Sequence, residues 1–106
     1  MAGRCHWPIG GGETLEFEIV APYTAWNDVP GLYIFAREDD SNWHALYVGQ
    51  AESFATSLAN HGRWIDAVRR GATHIHARVV PRQYDRNLWE GALIRTLQPI
   101  LNSPPR

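Results

Sequence analysis

The sequence has no lysine, a single cysteine and almost no net charge. One cysteine, Cys5, excludes a disulfide within the chain, and its place in a terminus expected to be mobile argues against a catalytic thiol. No run approaches the roughly 18 apolar residues that mark a membrane span. Residues 1–12 lack the apolar stretch of a secretory signal. Together these absences favour a protein of the reducing cytoplasm with no membrane partner.

The ten basic residues are all arginine and are unevenly distributed. Residues 1–50 hold two of them against seven acidic residues, whereas residues 51–106 hold eight against four. An arginine-rich half suits bidentate contacts with phosphates, although solvated helix faces give the same composition. The net charge of −1 argues against strong non-specific binding to nucleic acid.

Hydrophobic patterning predicts one α+β domain over residues 1–106. Alternating side chains predict a strand at Thr14–Val20, after a flexible segment at Pro8–Gly12, and a hairpin formed by Gly31–Ala36 and Trp43–Val48. Helical spacing of apolar residues predicts a helix at Glu52–His61 stopped by Gly62, a short helix ending at Gly71 and a helix at Tyr84–Leu97. Alternation predicts a further strand at His74–Val80, before Pro81. Strands and helices alternate without the βαβ rhythm of a parallel sheet, which favours the α+β class.

Two tripeptides on the predicted hairpin carry a more specific signal. Gly31-Leu32-Tyr33 lies on the first strand and Tyr47-Val48-Gly49 on the second. They are followed by a helix ending in Asn60-His61, by Gly71-Ala72 before a strand, by Glu90 in the last long helix and by Asn102. This ordered set, which runs from Gly31 to Asn102, resembles the GIY-YIG nuclease superfamily.

The resemblance implies a small antiparallel sheet of three core strands, flanked by helices, over residues 31–102. Residues 1–30 would then form an N-terminal extension with one extra strand. The implied function is that of an endonuclease domain, which hydrolyses phosphodiester bonds of nucleic acid, above all DNA, with Mg²⁺ or Mn²⁺. Because residues 1–30 are too few for a DNA-binding domain, target choice would come from a protein partner or from oligomerisation.

The resemblance also assigns roles to single residues. Tyr33, Tyr47, His61 and Glu90 take the catalytic positions, and Glu90 is the carboxylate that would bind the metal. Asn102 takes the place of a supporting asparagine. Gly31 and Gly49 permit close approach where a side chain would obstruct.

One position departs from the family pattern. Active members carry an arginine ten residues beyond the second motif tyrosine, where this chain has Ser57. Losing one donor of this kind typically lowers the rate by about 10²–10³. Our interpretation is weakened catalysis, with His61 on the same helical face as Ser57, or Arg63, Arg69 and Arg70 from the next segment, as phosphate-binding replacements. The alternative is a catalytically silent module that binds nucleic acid or a protein.

Other interpretations of these residues stay open. Tyr33 and Tyr47 are also typical of cross-strand aromatic pairs. A solvent-facing Glu90 is the lesser alternative, because this residue adjoins the apolar stripe of its helix. His74 and His76 share a strand face, and a surface pair is favoured over half a metal site. Trp43 is expected to be exposed at the hairpin.

Overall fold

The computed structural model describes residues 3–102, in which a five-stranded sheet carries helices on both faces. The strands are β1 (Arg4–Gly10), β2 (Glu13–Val20), β3 (Gly31–Asp39), β4 (Asn42–Ala51) and β5 (His74–Val79). The helices are α1 (Phe54–Leu58), α2 (Gly62–Arg69) and α3 (Gln83–Leu97), followed by a 3₁₀ turn at Ile100–Asn102. All strand pairs are antiparallel, in the order β1-β2-β5-β3-β4. The α+β class is therefore confirmed.

The N-terminal segment contributes two strands, so the prediction of one extra strand was wrong. The segment around Pro8, expected to be flexible, lies mostly in β1, which pairs with β2 from Arg4↔Glu18 onward. Three consecutive glycines with positive φ, at 10–12, form the turn between the two strands. Trp7 anchors β1 because its side chain is buried in the core. The strand is therefore stabilised by pairing and by one aromatic side chain, although its local composition is typical of a loop.

The β3–β4 hairpin alternates its side chains between two apolar layers. Leu32, Ile34 and Val48 pack on one face in a cluster that includes Leu93 of α3. The other face carries Tyr33 and its neighbours, covered by the short helices α1 and α2 (Phe35, Leu46, Phe54, Ala67, Ile75 and Ala77). Because β4 is an edge strand, side chains from the two faces of the sheet can approach each other around it.

The helical region between β4 and β5 is divided differently from the prediction. The helix expected over Glu52–His61 ends at Leu58, and Gly62 begins α2 rather than stopping the helix before it. His61 is the N-cap of α2, since its side chain accepts a hydrogen bond from the Arg63 amide. Within residues 3–102, no helix combines the length and the apolar character needed to cross a membrane.

The histidines of β5 do not form the expected surface pair. His76 is fully buried, and its Nδ1 accepts a 2.9 Å hydrogen bond from Trp7 Nε1. Trp43 is half-buried rather than exposed, because its ring packs edge-on against the rings of His74 and His76. Burial, and secondarily the charge of His74, lower the pKa of His76 to about 4.

This buried imidazole makes the stability of the fold depend on pH. The unfolded chain binds a proton at His76 near pH 6.5, whereas the folded chain binds it only near pH 4. Stability is therefore full above pH 6.5 and falls as the pH drops toward 4, by up to about 1.4 kcal/mol per pH unit from this residue. In urea unfolding between pH 7 and pH 4, His76→Gln should reduce the decline by roughly 3 kcal/mol.

The matched control is His44→Gln, which changes an exposed histidine of β4. His44 makes a surface contact, 3.7 Å from Asp39 Oδ2, so this variant should change the decline by less than about 1 kcal/mol. An equal decline in the wild type and in His76→Gln would contradict the role of His76.

Candidate active site

Two phenols and one imidazole meet on the face of the sheet that α1 and α2 cover. Tyr33 lies on β3, Tyr47 on β4 and His61 at the start of α2. Tyr33 Oη is 2.7 Å from His61 Nε2, and both phenol rings lie 5.4 Å from the imidazole. The two phenol rings are 6.3 Å apart and stacked. The structure therefore brings together three of the four side chains that were predicted to be catalytic.

The cap of α2 determines which nitrogen of His61 carries the proton. Nδ1 accepts a 3.0 Å hydrogen bond from the Arg63 amide, so in the neutral ring the proton lies on Nε2. That proton faces Tyr33 Oη, and His61 is the donor in their hydrogen bond. Burial, and secondarily the charge of Arg63, lower the pKa of His61 and favour this neutral state.

The phenols hold their protons more tightly than free tyrosine. Burial raises the pKa of Tyr33, with smaller contributions from Tyr47 and from the Glu90 carboxylate. Burial also raises the pKa of Tyr47, and Glu90 adds to it while Arg63 opposes it. Glu90 is thus close enough for its charge to affect both phenols.

Gly49 leaves room for the Tyr33 ring. The two residues are paired across β3 and β4, and the ring lies over the glycine. A Cβ at position 49 would sit 2.5 Å from Tyr33 Cζ and 2.5 Å from its hydroxyl oxygen. Gly31 is equally confined, since a Cβ there would overlap the carbonyl oxygen of Arg78 and Phe54 Cζ. Both glycines therefore serve close packing within the protein.

Glu90 reaches the site from the other face of the sheet. It lies on α3, half-buried, and its Oε1 accepts a 2.8 Å hydrogen bond from Gln50 Nε2. Gln50 pairs with Leu32, whose side chain packs in the layer beneath α3. The phenols and the carboxylate therefore reach the β3–β4 hairpin from opposite faces of the sheet.

Asn102 fixes this edge of the sheet. Its Oδ1 accepts a hydrogen bond from the Val48 amide and its Nδ2 donates one to the Val48 carbonyl, both 2.8 Å long. The asparagine thus bonds one residue of β4 as a neighbouring strand would. Since Val48 follows Tyr47, this contact restrains the backbone that carries the second phenol.

The three arginines of α2 line a shallow groove of about 460 Å³, together with Asp66 and Leu101. Arg63 lies closest to the phenols, since it stands two residues after His61 at the start of α2, and its Nη1 is 3.3 Å from Asp66 Oδ2. Arg69 and Arg70 lie at the far end of the helix, roughly 10 Å further along its axis. The structure therefore brings Arg63 to the site and places the other two beyond it.

Ser57 does not share a helix with His61, so the expected common helical face was wrong. Ser57 belongs to the five-residue α1, whereas His61 caps α2 after a break at Ala59 and Asn60. No basic residue lies in either the first or the last turn of α1.

The donor groups fit a hydrated hard cation. Among residues 3–102, no three His, Cys, Asp or Glu side chains gather into a metal-binding group. The charge of one carboxylate, Glu90, reaches both phenols, and all three groups offer oxygen donors. Mg²⁺ prefers oxygen ligands and keeps several of its water molecules, so a single carboxylate suffices for it.

Sequence reasoning missed the amide groups that surround Glu90. Gln50 contacts both Asn87 Oδ1 and Glu90 Oε1, each at 2.8 Å. Gln83 donates to Gln50 Oε1 at 2.9 Å. The only signal in the sequence was the spacing of residues 83, 87 and 90, which places them on one face of α3.

Comparison with solved structures identifies the architecture. The chain is similar to the GIY-YIG N-terminal endonuclease domain of UvrC from Thermotoga maritima, bound to its catalytic divalent cation, magnesium, with a TM-score of 0.61 and 22% identity over 74% of this chain and 88% of that one. A tyrosine-to-phenylalanine variant of that domain gives a TM-score of 0.59 and 19% identity over the same shares. An asparagine-to-alanine variant gives 0.56 and 20%, over 70% of this chain and 82% of that one.

No family model and no curated protein matches the sequence. The likeness therefore lies in three-dimensional structure, and this protein has a GIY-YIG-like fold.

Proposed function

We propose that this protein is a metal-dependent nuclease of the GIY-YIG type, which hydrolyses phosphodiester bonds of nucleic acid. The observation that carries the proposal is the 2.7 Å contact of Tyr33 with His61, made within the electrostatic reach of Glu90. In-line attack on a phosphodiester needs an oriented water molecule, a proton acceptor and positive charge near the phosphate. The similar endonuclease domain of UvrC, bound to magnesium, supports the same chemistry.

Tyr33 is the group that orients and activates water in this proposal. Its oxygen accepts the Nε2 proton of His61 and keeps a second lone pair for a hydrogen bond from water. Burial raises the pKa of Tyr33, so donation by His61 and, when bound, a cation held by Glu90 would have to offset that rise before the phenolate could take a proton from water. Tyr47, 6.3 Å away from ring to ring, lines the same site and orients the water or a phosphate oxygen.

Glu90 is the residue that would hold Mg²⁺ or Mn²⁺. When bound, the cation supplies positive charge that stabilises the phosphate in the transition state and favours ionised groups nearby.

The groove along α2 is the path that a bound nucleic-acid strand would follow. Arg63, Arg69 and Arg70 line it, and Arg63 is nearest to the phenols. A row of arginines spaced along one helix suits successive phosphates of a strand. DNA is the expected substrate, with a protein partner or a second copy supplying target choice.

A silent binding module is the second candidate. Ser57 favours it, because the family's arginine position is neutral and Arg63 is already engaged with Asp66. In such a module the same groove would bind nucleic acid or a protein without cleavage.

Incubation with supercoiled plasmid, branched DNA and RNA, in Mg²⁺ or Mn²⁺, separates the two candidates. The nuclease predicts metal-dependent cleavage that Ser57→Arg accelerates by about 10-fold or more, since a restored cation lies where phosphate charge develops. Salt-sensitive binding without cleavage, in the wild type and in Ser57→Arg alike, would favour the binding module instead. The matched control is Thr56→Arg, which adds the same charge to an exposed position of α1.

A further inference from the structure

Four side chains form a continuous line of hydrogen bonds that ends at Glu90. Arg86 Nη2 donates to Gln83 Oε1 at 3.0 Å, and Gln83 Nε2 donates to Gln50 Oε1 at 2.9 Å. Gln50 Nε2 then donates to Glu90 Oε1 at 2.8 Å. Both glutamines also donate to Asn87 Oδ1, which braces the middle of the line.

The two ends of the line fix the direction of every bond in it. A guanidinium can only donate and a carboxylate can only accept. Gln83 must therefore turn its oxygen toward Arg86, and Gln50 must turn its nitrogen toward Glu90. The remaining bond, from Gln83 nitrogen to Gln50 oxygen, is the one that both orientations require. Reversing Gln83 would turn its NH₂ group toward the Arg86 guanidinium, so that two donors would meet. Reversing Gln50 would turn its oxygen toward the Glu90 carboxylate, so that two acceptors would meet.

The donor end of the line is rigidly held. Arg86 is buried, and its Nη1 donates to the carbonyl oxygens of Val80 and Pro81, both at 2.9 Å. Val80 and Pro81 form the short connection between β5 and α3, so the guanidinium is tied to the backbone that joins these two elements. Gln50, in the middle of the line, lies on β4. The line therefore runs from this connection through β4 to Glu90 on α3.

We propose that Gln50 and Gln83 are positioning residues that hold Glu90 Oε1 and leave the second carboxylate oxygen for a divalent cation. This inference rests on the proposed function, which makes Glu90 the metal ligand. A helix-surface glutamate otherwise samples several rotamers. Hydrogen bonds to the ligand from outside the metal's own shell orient it, and removing such a bond typically weakens metal affinity by about 10–100-fold.

The test measures Mn²⁺ binding to the full chain, by electron paramagnetic resonance of free Mn²⁺, in the absence of nucleic acid. Gln50→Met should raise the Kd by about 10–100-fold, because Glu90 loses its direct donor. Gln83→Met should raise it less but in the same direction, since it acts through Gln50. Gln83 is exposed, so this second variant tests the line from the surface of α3, although it also removes one acceptor of the buried Arg86. Tyr84→Met, at the exposed neighbouring position, should leave the Kd unchanged.

The outcomes separate this inference from the function on which it rests. Binding to the wild type that Glu90→Gln abolishes, but that Gln50→Met and Gln83→Met leave unchanged, would overturn the positioning role alone. Absence of Mn²⁺ binding in the wild type would overturn both. Thermal unfolding of each variant shows whether a change in Kd reflects the carboxylate or a damaged fold.

Discussion

Glu90→Gln is expected to lower metal-dependent cleavage by about 10³-fold or more. Glutamine has the same shape as glutamate, and its amide oxygen can still accept the bond from Gln50 Nε2. The change therefore removes the charge while it preserves the contact. A bound cation stabilises the transition state by several kcal/mol. Each loss of about 1.4 kcal/mol lowers the rate tenfold. Single-turnover cleavage of a labelled DNA fragment measures the rate.

Glu38→Gln is the matched control for this experiment. It makes the same chemical change at an exposed position near the far end of the β3–β4 hairpin. Its cleavage rate should equal that of the wild type. If Glu90→Gln cuts as fast as Glu38→Gln, the carboxylate is not the metal ligand and the proposed nuclease mechanism fails.

Gly31→Ala is expected to destabilise the fold more than any other single change proposed for this chain. The new methyl group would overlap the carbonyl oxygen of Arg78 on β5 and the ring of Phe54 on α1. Because β3 is paired on both sides at Gly31, with Ala51 and with Val79, the strand cannot move aside without breaking a ladder. Overpacking of this kind costs about 3 kcal/mol, or about 10–25 °C in Tm for a domain of this size.

Gly62→Ala is a control of the same chemistry at an open position. Nothing lies within 4 Å of the Cβ that it would add, and Gly62 occupies the first position of α2. Alanine should leave stability unchanged or raise it by about 0.5–1 kcal/mol, since it favours the helical backbone. Thermal unfolding of Gly31→Ala and Gly62→Ala measures the difference in their stability. Equal melting temperatures would refute the packing argument for Gly31.

The elements with strong local patterns could be predicted from the sequence. The hairpin was predicted because both strands carry aromatic and β-branched residues on either side of a polar turn, but β3 extends to Asp39 and β4 runs from Asn42 to Ala51, so the predicted strands were too short. Helix α3 was placed within one residue at its start, and Pro99 marked its end. These are positions where the local signal and the tertiary packing agree.

The remaining features depend on contacts between distant residues. β1 looked like a loop, and it is a strand because β2 supplies its partners and the core accepts Trp7. The break between α1 and α2 is a local exception: it coincides with the cap in which the His61 side chain accepts the Arg63 amide, and the helical spacing of apolar residues does not reveal such a cap. The amide line to Glu90 joins β4 to α3, so no single stretch of sequence contains it.

The double hydrogen bond of Asn102 to Val48 has a consequence for the behaviour of the protein in solution. An outermost strand offers unpaired amides and carbonyls, to which a strand of another molecule can attach. At Val48 both groups are already satisfied by the asparagine, so intermolecular strand pairing is blocked beside Tyr47. A strand of a second molecule that extended the sheet along β4 would therefore find no free backbone group at Val48.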